Sequence, residues 1–186
     1  MTTPTESSEP HQPAAGAPGD VPAARPAALE RLAALIGAWD MEATFEADYF
    51  APGTPAFTAR GGRTVFEWLA GQFFLLQHFT ADNPAAPSGL AVIGAAAGDA
   101  DTFTQHYYDS RGVARVYQMS LAAGVWKVWR DAPGFWQRYT GLISADGTSI
   151  TGAWEYSPDG VNWRHDFTLT YLAAAQPALP PNNQNR

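Results

Sequence analysis

The chain is 186 residues long, 46% hydrophobic, carries a formal net charge of −7 and contains no cysteine. Its ten arginines and single lysine are scattered, which excludes the clustered cations needed to grip a nucleic-acid backbone or an anionic membrane surface. Disulfides, thiolate nucleophiles and Cys-ligated metals are excluded outright.

Residues 1–25 contain no Leu, Ile, Phe, Tyr or Trp. Such a segment buries too little apolar surface to offset the entropy of ordering it, and a disordered tail is expected. It shows neither the basic start nor the apolar stretch of a secretory signal. No segment approaches the roughly 18 consecutive apolar residues of a membrane helix. A cytoplasmic protein is expected. Pro26 suits a first helical turn, Leu29, Leu32, Leu35 and Ile36 share one helical face, and Gly37 stands where a C′ glycine belongs. The spacing predicts a three-turn helix, too short to stand alone. It must pack on a larger unit, and the open end of a barrel is the natural one.

From Ala38 the period changes to two. Trp39, Met41, Ala43 and Phe45 alternate with Asp40, Glu42, Thr44 and Glu46, the pattern of a half-buried strand. Strand-like runs follow, giving expected strands at 38–47, 61–69, 72–80, 89–96, 102–109, 112–120, 124–131, 134–143, 149–157 and 162–172. Turn residues separate them, as in Asp109-Ser110-Arg111-Gly112, Ala132-Pro133-Gly134, Ala145-Asp146-Gly147 and Pro158-Asp159-Gly160. No second helix interrupts the series, so parallel βαβ units are not expected. An open sheet of this many strands leaves long bare edges, which closure removes. The expected fold is all-β: a closed up-and-down antiparallel barrel of about ten strands over residues 26–175, with the helix at one end. A two-sheet sandwich is the alternative. Residues 176–186, rich in Pro, Asn and Gln, are expected to form a second disordered tail.

The last strand gives the clearest inward face: Trp163, His165, Phe167, Leu169 and Tyr171, with Arg164, Asp166, Thr168 and Thr170 outward. In the strand before it, Ile150, Gly152, Trp154 and Tyr156 are expected inward. Val113, Arg115, Tyr117 and Met119 share a face, as do Phe135, Gln137, Tyr139 and Ile143, and Gln105 shares one with Tyr107. These three strands are apolar on both sides, so pattern alone leaves their inward face open.

From Leu32 to Leu172 the chain resembles an uncharacterised family of bacterial lipocalin-like proteins of the calycin type. The resemblance lies in Leu35-Ile36-Gly37-Ala38-Trp39-Asp40, Phe66-Glu67-Trp68-Leu69-Ala70-Gly71-Gln72-Phe73, His106-Tyr107-Tyr108-Asp109-Ser110-Arg111-Gly112-Val113 and Ile150-Thr151-Gly152-Ala153-Trp154-Glu155. It implies a fold and brings no activity with it. The Gly37-Ala38-Trp39 start is similar to that of lipocalins, fatty-acid-binding proteins and nitrobindins, and implies that Trp39 closes one barrel end. Nitrobindins are haem barrels with a late axial His, to which His165 is similar. The later glycines of their opening motif are missing here.

Arg115 and Tyr117 point the same way, and an inward Arg beside a Tyr hydroxyl makes a carboxylate clamp. Fatty-acid-binding proteins use a similar Arg-x-Tyr, at the end of the chain. An inward Arg115 needs a carboxylate partner: Glu67, Asp109 or a ligand. The alternatives are an outward Arg115 resting on aromatic surface and a His165 that is a satisfied core residue. Arg130 and Arg138 read as solvated rim charges, and Glu67 as the ion-pair partner of Arg63. No phosphate loop, zinc motif or nucleophile elbow is present. The expected function is binding, without catalysis, of a small hydrophobic or amphipathic molecule, with or without a carboxylate. Trp39, Trp154, Trp163, Phe167 and Tyr171 would form the apolar wall, and His165, Arg115 and Tyr117 the polar fixing points. No cofactor is required. The other readings are a haem barrel ligated by His165, a cofactor-free lyase or isomerase using Arg, Tyr and Glu, and a barrel filled by its own aromatics.

Overall fold

The computed structural model describes residues 24–84, 86–97 and 101–175. The two expected tails, apart from Ala24 and Arg25, lie outside the described residues. A 3₁₀ helix, Ala27–Leu35, precedes ten strands: β1 (Gly37–Phe45), β2 (Phe57–Trp68), β3 (Phe74–Ala81), β4 (Gly89–Ala95), β5 (Phe103–Asp109), β6 (Ala114–Ala122), β7 (Val125–Arg130), β8 (Trp136–Ile143), β9 (Ser149–Ser157) and β10 (Arg164–Ala173). Each strand pairs antiparallel with its sequence neighbours, and β1 pairs with β10 to close the barrel. No described helix is long and apolar enough to cross a membrane.

The expected three-turn helix is wound more tightly than an α-helix. Its leucines, Leu29, Leu32 and Leu35, recur every third residue. A 3₁₀ helix has three residues per turn, so all three lie on one line. They are fully buried, whereas Ile36, expected on the same face, is exposed and Gly37 already opens β1. The helix caps one end of the barrel. Trp39 lies beneath it, with its indole Nε1 donating to the Leu35 carbonyl at 2.8 Å. Phe66, Leu75, Ile93, Phe103, Met119 and Leu121 complete this core.

Two bulges bend the barrel wall. In β2, Met41 pairs with Gly62 and Ala43 with Ala59, so Arg60 and Gly61 together face Glu42. Gly61 takes a φ of +82° there, a conformation that costs other residues dearly. This bulge carries β2 on to Phe57, beyond the expected start at residue 61. In β10, His165 pairs with Glu155 and Phe167 with Trp154, which leaves Asp166 as the extra residue. An inserted residue reverses the alternation on one side of it.

Leu32→Ala removes one of the three helix anchors from a dry core. It should lower stability by about 2–5 kcal/mol, measured as a shifted urea midpoint with an unchanged slope.

Candidate functional site

The capped end of the barrel is solid, and the other half holds a cavity of about 480 Å³ that opens between the β1–β2 and β3–β4 loops. Its two sides differ in chemistry. Met41 and Phe45 of β1, Trp154 of β9, and Phe167, Leu169 and Tyr171 of β10 form an apolar wall. Gln77 of β3, Gln105 and Tyr107 of β5, Arg115 and Tyr117 of β6 and Gln137 of β8 form a polar wall. A shallower depression on the outer surface, lined by Tyr108, Val116, Gln118, Trp129 and Arg130, gathers none of these inward groups except the edge of Arg115.

Strand register builds the polar wall. Arg115 lies opposite Tyr107 and Tyr117 opposite Gln105 across the β5–β6 ladder. The Arg115 guanidinium donates to the Gln137 side-chain carbonyl at 2.8 Å and reaches the Tyr117 hydroxyl at 3.3 Å. Tyr117 in turn donates to the same Gln137 oxygen at 3.0 Å. Phe135 lies 5.2 Å from the guanidinium carbon, a cation–π distance. The expected carboxylate partner is not there. Among the described residues, no Asp or Glu lines the cavity, and Arg115 makes no ion pair. Glu67 is on the outer surface 3.5 Å from His78, while Arg63 faces Asp40 at 3.9 Å. The expected Arg63–Glu67 pair therefore does not form.

Asp109 is committed elsewhere. Its carboxylate is closed off from solvent and accepts from Arg111 at 2.6 and 3.1 Å, from the Tyr107 hydroxyl at 2.9 Å and from the backbone N–H of Arg111 and Val113. The Arg111 guanidinium, helped by Tyr107 and these amides, holds the carboxyl well below the usual carboxylate range. Burial, reinforced by Asp109, pushes the Tyr107 phenol up and keeps it protonated.

The β10 bulge corrects the expected inward face of the last strand. Phe167, Leu169 and Tyr171 face the cavity, but Trp163 and His165, before the bulge, do not line it. Trp163 lies under Arg138, whose guanidinium carbon is 4.0 Å from the ring and whose Nε donates to Glu155 at 2.6 Å. His165 is exposed and lies 3.2 Å from Glu46 and 3.3 Å from the Thr168 hydroxyl. Trp39, the third expected site residue outside the cavity, belongs to the core beneath the helix. Arg115, Tyr117, Trp154, Phe167 and Tyr171 are brought together. A histidine-ligated haem does not fit this arrangement, because no described histidine lines the cavity: His78 and His106 are also exposed on the outer face.

The floor residues, Trp126 and Tyr139, were not singled out from the sequence as site residues. Their rings meet edge to face at 5.3 Å, and Trp126 reaches Phe66 across the barrel at 6.0 Å. The Tyr139 ring lies flat over the cross-strand pair Gly141–Gly152, where a Cβ on either glycine would stand 2.6–2.7 Å from phenol atoms. A glycine inside each of two consecutive strands, Gly141 and Gly152, was the sequence signal for a close approach. Burial pushes the Tyr139 and Tyr171 phenols up, so both are neutral.

A carboxyl depressed below its ordinary value of 3.8 stabilises the fold above that pH, and the contribution is lost as the pH falls below it. Asp109→Asn should therefore flatten the loss of stability below about pH 4, read from urea midpoints across a pH series. Asp146 and Asp159 are also depressed, by their own turn hydrogen bonds, so the acid limb shrinks without disappearing.

No protein-family model and no curated protein sequence matches the chain. Among solved structures it is similar to Rv2717c from M. tuberculosis, with a TM-score of 0.55 and 14% identity over 80% of this chain and 98% of that one. The match spans nearly the whole neighbour, so the likeness is one of the entire barrel, and at this identity it is a likeness of fold alone.

Proposed function

We propose that this chain is a lipocalin-like binding protein for a small amphipathic acid. The acid's head group sits on Arg115, Tyr117 and Gln137, and its apolar body lies against Phe45, Phe167, Leu169 and Trp154. The observation that carries this reading is Arg115: a cation in the cavity wall whose protein partners are a neutral amide oxygen, a neutral hydroxyl and a ring. A guanidinium keeps its charge at any physiological pH, and its strongest partner is a carboxylate held by two parallel hydrogen bonds. The cavity volume of about 480 Å³ falls within the ~300–1,000 Å³ of small-molecule sites, and an apolar lining with a few convergent polar groups is their usual form.

Binding is favoured over catalysis by the lining itself. Its described residues include no carboxylate and no imidazole, and the buried phenols are held protonated. A general base matched to neutral pH is therefore lacking on the wall. The filled-barrel alternative is disfavoured by the volume.

Decanoate and decanamide separate the head-group contact from apolar burial, with quenching of Trp emission as the readout. Arg115→Met should weaken decanoate by about ten- to a hundredfold, the usual worth of a hydrogen bond to a charged group, and decanamide by less than about threefold. Equal losses for the two would remove Arg115 as the head-group site. Failure of the unmodified protein to bind either would remove the binding reading.

A further inference from the structure

The cavity carries buried polar atoms that the protein does not satisfy, two on its floor, from Trp126 and Tyr139, and one on its polar wall, from Gln105. The Trp126 indole N–H, the Tyr139 hydroxyl and the Gln105 side-chain oxygen are buried with no hydrogen-bond partner in the protein. All three residues line the cavity, and each is more than nine-tenths buried. Buried polar groups are rarely left unpaired, and each specific exception asks for an explanation. Here three exceptions meet one cavity.

Resting on the acid-binding reading, we propose that the floor is a second polar subsite and that the ligand is a hydroxy acid, with its hydroxyl remote from the carboxylate. An indole N–H donates only, an amide oxygen accepts only and a phenol does either. A hydroxyl is the small group that both accepts and donates, so it accepts from Trp126 while donating to Tyr139. A charged group is disfavoured on the floor: the rings packed against Trp126 and Tyr139 are those of Phe66, Trp154 and Tyr171, which offer no counter-ion. The geometry also separates the two subsites. Gln137, on the head-group site, and Tyr139, on the floor, are consecutive inward residues of β8 and so stand about 7 Å apart along the strand. The Tyr139 ring leans further toward the capped end, over Gly141. Head and hydroxyl are thus held apart by an apolar spacer rather than on adjacent carbons.

The test compares ω-hydroxy acids of eight, ten and twelve carbons with their unsubstituted parent acids. The readout is the affinity ratio within each pair, taken by calorimetry on the unmodified protein, on Trp126→Phe and on Tyr139→Phe. In the unmodified protein at least one hydroxy acid should bind more tightly than its parent, because the hydroxyl finds partners already desolvated. In each variant that ratio should fall by about tenfold. Two separate variants guard against one failing to fold. If the hydroxyl weakens binding at every chain length, or if the preference survives both substitutions, the floor is filled by ordered water and the inference is wrong. If no parent acid binds at all, the binding reading fails first and this inference falls with it.

Discussion

Closure of ten strands into one ring is the constraint on which the rest depends. Side chains from about eight strands fill a barrel, and ten enclose more than one inward layer occupies. The excess space has to be filled, lined or left wet. At one end it is filled: three leucines on a 3₁₀ helix, with Trp39 hydrogen-bonded to the last of them, extend the core beyond the strands. At the other end it is lined. The helix that stabilises the barrel therefore also gives the cavity its direction, a dry closed end and an open mouth.

The lining then follows from register. Neighbouring strands contribute inward residues at matched levels, so Arg115, Tyr117, Gln105 and Gln137 converge because β5 to β8 are consecutive in the ring. On the other side β9, β10 and β1 contribute Trp154, Phe167 and Phe45. An up-and-down barrel keeps residues from one stretch of chain on one arc of wall. Sequence composition along the chain thereby becomes polarity around the cavity.

Period two and turn chemistry made the ten strands legible, because each strand obeys a local rule. What was not legible depended on pairing in three dimensions. The alternation of Trp163, His165 and Phe167 is unbroken in sequence, and only the offset between β9 and β10 reveals that Asp166 is the extra residue. That single bulge puts two expected site residues outside the barrel. The inward face of β5, β6 and β8 is open in the sequence for a different reason: apolar residues stand on both faces, since the outer surface also carries Tyr108, Val116 and Trp136. The 3₁₀ winding was written in the spacing of Leu29, Leu32 and Leu35, which fits a period of three better than 3.6.

Electrostatics ties the mouth to the wall. Along the β5–β6 ladder Tyr107 lies opposite Arg115, and its hydroxyl turns to Asp109 on the same strand. Asp109 is already saturated by Arg111, Tyr107 and two backbone amides. The Asp109–Arg111 pair is neutral as a unit, and it leaves Arg115 as an uncompensated charge on the adjoining wall. In a chain of net charge −7 this is a local field of opposite sign, on a half-buried side chain that solvent screens less than a fully exposed one. Amide and hydroxyl dipoles from Gln137 and Tyr117 lower the cost of holding it there without cancelling it. Holding the carboxylate on Arg111 and away from Arg115 thus makes one turn, residues 109–113, responsible for both the shape of the rim and the charge inside it.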